Sequence, residues 1–166
     1  MRCGSATCVI LTSITFALPA AAEPYGSYSN SELGLKVEPP EDWTLTLQTG
    51  YPRILAVLTS SLDPATVSVA VEDPSWRRPL RSQVADNNRI LSQRGFRVLS
   101  TNPTQRAQRT GWEVVAQTRD GRSELRQVYL EVRGRAVVFT LTAPRDRTRR
   151  PRQDFLRLLD NAQLAP

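Results

Sequence analysis

The chain has 166 residues, no histidine and a formal net charge of +6, which allows one domain with a proper core and removes the commonest acid–base side chain. Its two cysteines stand at Cys3 and Cys8, inside an apolar leader. Cys/His and Ser/His/Asp nucleophile systems are therefore excluded from the body of the chain, as are ordinary zinc, copper, haem and iron–sulfur sites.

Arg2 precedes a mostly apolar run from Cys8 to Leu18, Pro19 breaks it, and Ala20, Ala21 and Ala22 supply the small residues a signal peptidase requires. Residues 1–22 read as a signal peptide, with cleavage expected after Ala22 and a periplasmic or secreted product. The apolar run is too short to span a bilayer, and no cysteine sits at the cut to take a lipid. Residues 23–32 are polar and rich in small side chains, and read as a flexible lead-in. Residues 33–164 read as a single domain.

In LGLKVEPPEDWTLTL, Leu33, Leu35 and Val37 alternate with Gly34, Lys36 and Glu38, the period of a half-buried strand. Pro39 and Pro40 end it, because proline offers no amide hydrogen to a ladder. Glu41 and Asp42 read as a solvated turn, too poor in oxygen ligands for calcium. Trp43, Leu45 and Leu47 share one face of a second strand, and Trp43 is expected in the core. Residues 53–60 and 65–71 make a third and a fourth strand, separated by the turn residues SSLDP.

Leu80, Val84 and Leu91 follow helical spacing, so a helix is expected from about Pro79 to Gln93, closed by Gly95. Four strands follow. Phe96 to Thr101 leads into a turn at Pro103. Trp112 to Thr118 and Glu124 to Val132 flank Arg119-Asp120-Gly121-Arg122, a strong hairpin signal. Ala136 to Ala143 ends at Pro144. Phe155, Leu158, Leu159 and Ala162 then form one helical stripe, with Thr148 as a cap and Pro151 in the first turn. The order implies an α+β fold: a mainly antiparallel sheet of about six to eight strands with two main helices packed on it.

Three segments carry a resemblance. GLKVEPPEDWTL, the run from Gly111 to Pro144, and DFLRLLDN are similar, in this order, to the opening hairpin, the late meander and the closing helix of the PsbP/DcrB-like superfamily. The resemblance implies an α/β/α sandwich around an antiparallel sheet. It also implies a habit of binding other proteins, shared by lumenal photosystem subunits, envelope lipoproteins, secretion chaperones and a Ran-binding protein. No histidine or lipid-attachment cysteine is present to carry over those members' features, and no binding residue transfers.

Two arginine clusters are the candidate partner surface: Arg77, Arg78 and Arg81, beside Trp76, and Arg145, Arg147, Arg149, Arg150 and Arg152. Both stand at expected helix N-termini, where the macrodipole opposes positive charge by roughly 0.3–1 kcal/mol per residue. A conflict of this kind invites a surface for an acidic protein or another anion. Lys36 is the only lysine, so arginine usage also has a compositional reading. The expected function is an exported, non-catalytic binding protein that recognises an envelope or secreted protein, with no cofactor, no metal and no nucleic acid. The alternatives are a hydrolase using carboxylates such as Glu113, Glu124 or Glu131, and a surface protein binding anionic lipid.

Overall fold

Alternation of apolar side chains sets the strands of the main sheet: β3 (Trp43–Leu47), β4 (Ile54–Ser60), β5 (Thr66–Val71), β6 (Phe96–Arg106), β7 (Arg109–Thr118), β8 (Ser123–Val132) and β9 (Arg135–Pro144). The computed structural model describes residues 26–47, 53–72 and 78–165. The leader, the expected cut after Ala22, and the pair Trp76–Arg77 lie outside them. The seven strands pair antiparallel throughout, in the order β3-β4-β5-β9-β8-β7-β6. A smaller sheet joins β1 (Tyr28–Asn30), β2 (Leu35–Val37) and β10 (Gln163–Leu164).

The two helices lie on opposite faces, because successive residues of one strand point to opposite sides. Tyr129 of β8 packs with Val84 and Leu91 of α1 (Leu80–Gln93), while its neighbour Val128 packs with Phe155, Leu158 and Leu159 of α2 (Arg149–Asn161). Leu35 and Val37 carry the small sheet into the α2 layer. Helix α2 has no side-chain cap bond and no acid in its first turn. Its three fully buried apolar side chains contribute roughly 1.5–3 kcal/mol each, which outweighs a missing cap of about 1 kcal/mol. Tertiary burial holds this helix.

Four local expectations give way. The Pro39–Pro40 corner does not close a hairpin: β2 pairs with β1 and β10, and β3 with β4. The prolines instead carry the chain from one sheet to the other. The lead-in holds β1, whose Tyr28, Ser29 and Asn30 pair with Val37, Lys36 and Leu35. Strand β6 does not stop at Pro103, which pairs with Trp112 on an edge strand, where a missing amide is tolerated. Thr148 stands before α2 but has helical angles, and its hydroxyl donates to the Arg145 carbonyl instead of capping.

Candidate functional site: the arginine-rich end of the sheet

Antiparallel register sorts the connections to two ends. The pairs Trp43↔Ser60, Thr66↔Thr142, Ser123↔Pro144 and Phe96↔Thr118 place the proline corner, the β4–β5 turn, the β9–α2 connection, the β7–β8 loop and the α1–β6 turn together. This is the upper end. It is electrically divided.

The half over β7, β8 and β9 is basic. The backbone N–H of Arg145 donates to the Arg122 carbonyl at 2.8 Å, so a turn of 3-10 helix at Arg145–Arg147 is docked on the β7–β8 loop. Arg97, Arg119 and Arg145 line one open groove of about 660 Å³ beside this contact. With its amide oxygen turned toward Arg97, Gln117 accepts from Arg97 Nε at 2.9 Å and fixes that guanidinium. Asp120 lies in the groove wall. The Thr118 hydroxyl and the Arg122 backbone N–H donate to it at 2.6 and 3.0 Å, and these bonds hold its carboxyl below the ordinary value of 3.8. Arg122 is 3.7 Å from the same carboxylate. Arg119, Arg145, Arg147, Arg149 and Arg152 are exposed, and their side chains make no ion pair or hydrogen bond among the described residues.

The half over β3 and β4 is a clamp. Trp43 is buried, and its indole N–H donates to Asp154 Oδ2 of α2 at 3.0 Å. Asp154 is itself buried and also accepts from Arg157. Arg150 Nη2 reaches Asp42 at 2.9 Å, while the Asp42 carbonyl accepts from Ser61 N–H at 2.8 Å. Arg150, expected among the partner-facing arginines, is therefore tied to the corner. Asp154 gave no signal in the sequence beyond its place on the helix.

The first cluster lies at the other end. Arg78 pairs with Asp86 at 2.6 Å, and the Arg81 guanidinium lies 5.8 Å from the ring centroid of Trp112. The 14 residues of α1 separate this group from the upper end by about 20 Å. The lower end uses arginines structurally: Arg133 donates to the carbonyls of Ser31 and Glu32 at 2.9 and 3.0 Å, and Arg109 to that of Glu131 at 3.1 Å. The two clusters do not converge.

The carboxylates named for a hydrolase do not form an open pair. Arg126, buried on the α2 face, sits between Glu113 at 2.7 Å and Glu124 at 3.2 Å. It occupies the space that a scissile bond or water would need between opposed carboxylates. Glu131 is exposed near the lower end. No helix among the described residues is long and apolar enough to cross a membrane.

A seven-stranded antiparallel sheet with a helix on each face is an α+β sandwich whose polar specialisation lies at one end of the strands. Its fold is of the PsbP/DcrB-like type. The chain is similar to the cyanobacterial PsbP protein (CyanoP) of Synechocystis, with a TM-score of 0.65 and 12% identity over 93% of this chain and 100% of that one. It is also similar to the Pseudomonas aeruginosa protein PA94, with a TM-score of 0.54 and 18% identity over 84% and 95% of the two chains. The yeast (Saccharomyces cerevisiae) Ran-binding protein Mog1p gives a TM-score of 0.54 and 8% identity over 83% and 94%. No protein-family model and no curated protein sequence matches. At these identities the likeness is one of fold.

Proposed function

We propose that the chain is an exported, non-catalytic protein that recognises another protein through the arginine-rich half of the upper end. The observation that carries this reading is the unneutralised group Arg119, Arg145, Arg147, Arg149 and Arg152. Arg78, Arg126, Arg133 and Arg150, by contrast, are paired or docked. Exposed like charges left together repel and gain nothing for the fold, so their retention suits an acidic partner. The leader-like first 22 residues support export. A similarly folded protein is named for binding Ran, which supports a binding role for this kind of sandwich.

The test is affinity capture from the cell envelope under mild crosslinking, with the wild type and with R147E/R149E. A defined protein captured by the wild type and lost from the variant is the expected result. Capture of nothing by either, or turnover of a substrate abolished by one carboxylate change, overturns the reading.

A further inference from the structure

We propose that the groove between the β7–β8 loop and the α1–β6 turn seats an acidic peptide segment of the partner, with carboxylates meeting Arg97, Arg119 and Arg145. This rests on the function proposed above and adds the ligand chemistry and its seat.

Three guanidiniums reach the groove from three separate elements: the start of β6, the β7–β8 loop and the β9–α2 connection. Two of the elements are fixed, since Gln117 holds Arg97 and the Arg122 carbonyl holds the backbone of Arg145. Guanidinium groups pair with carboxylates in a planar, two-bond fashion. Asp120 is engaged within its own loop and not with these three arginines: Thr118 and the Arg122 amide donate to Oδ1, and Oδ2 lies 3.7 Å from Arg122 Nε. Phe96 and Val98, partly buried against the α1 core, give the groove an apolar strip. Gly95 and Gly121 have open space where a Cβ would stand, so a backbone can approach closely there. Cationic walls with an apolar strip suit a segment that mixes Asp or Glu with apolar side chains. The volume of about 660 Å³ is that of a short segment.

The same end argues against a bilayer. Glu41 and Asp42 occupy the proline corner over β3, four to five strands from the β7–β8 loop in the order of the sheet. At about 4.8 Å per strand that is about 20 Å, more than two screening lengths at physiological salt. A flat anionic surface would meet the acids along with the arginines. A segment seated in the groove meets Arg97, Arg119 and Arg145 with Asp120 as the one acid in the lining.

The experiment is fluorescence anisotropy of the purified protein with a short peptide alternating Glu and Phe, a matched peptide alternating Gln and Phe, and phosphatidylglycerol vesicles as competitor. The Glu peptide is expected to bind, and the Gln peptide about tenfold more weakly. R119E/R145E is expected to weaken the Glu peptide about tenfold, and R149E/R152E less than about threefold. The vesicles are expected not to compete. Equal losses in the two variants, equal affinity for the two peptides, or displacement by vesicles overturns the groove assignment. It does so even if R147E/R149E still loses a captured protein, which keeps the broader function standing. Failure of envelope capture by the wild type overturns the broader function whatever the peptides do. Melting curves of both variants separate lost binding from lost fold.

Discussion

Trp43 and Asp154 are 111 residues apart in sequence and share the hydrogen bond that locks the proline corner to α2. The alternation of Trp43, Leu45 and Leu47 made the core position of the ring legible. Its polar partner was not, because a helix stripe ranks Asp154 only by its spacing and cannot show which strand passes over it. A buried carboxylate that loses a donor keeps its desolvation cost. Trp43→Phe is therefore expected to lower stability in urea by about 2 kcal/mol, and Asp154→Ala by at least as much. Arg150→Ala removes mainly a half-exposed ion pair, with side chains 51% and 41% accessible, and is expected to cost less than about 1 kcal/mol. Asp120 gives a different signature. Its folded-state value is depressed below 3.8 by Thr118 and the Arg122 amide. The stability it adds is complete above pH 3.8 and is lost as pH falls through the depressed value. Thr118→Val removes the largest cause, so the carboxyl resonance of Asp120 in an NMR titration should move up toward the ordinary value. An unchanged midpoint would show that the loop hydrogen bonds do not set it.

The elements that sequence periodicity located best were those with long apolar alternation, β4, β5, β8 and β9, and the two helices. Short β1 and β10 carry too few residues for a period to show, and each depends on β2 for its pairing. The β6–β7 hairpin was hidden for another reason. Its two-residue turn, Ala107-Gln108, has φ of 46° and 61° and no glycine or asparagine to announce it. Two ordinary side chains in the left-handed region cost energy that the 10- and 11-residue strands on either side offset. Replacing the pair with Asn-Gly is expected to raise stability by about 1 kcal/mol and to slow amide exchange across β6 and β7. A destabilised protein would show that the turn prefers its present residues. Gly111, quoted as part of a motif, has a packing cause: a Cβ there would come within 2.1 Å of the Tyr129 carbonyl oxygen on β8.

Across the whole molecule, antiparallel register decides what becomes a surface. Arg145 and Arg147 were visible as a charged run, yet nothing in the run indicated that Arg119 and Arg97 would join them. That conjunction needs the pairs Ser123↔Pro144 and Phe96↔Thr118, which local sequence does not encode. The same register sends Arg78 and Arg81 to the far end and turns Arg150 toward Asp42. The fold class was legible because it follows from the order of elements. The surface was legible only in part because it follows from how distant elements meet. The most direct test of that surface is photo-crosslinking in the native envelope, with a benzophenone side chain placed at Asp146, between Arg145 and Arg147, or at Thr59, an exposed residue of β4 that pairs with Thr44 and Thr66. The account predicts that position 146 crosslinks to one protein with an acidic segment and that position 59 does not. A partner captured from position 59 with position 146 silent would contradict it.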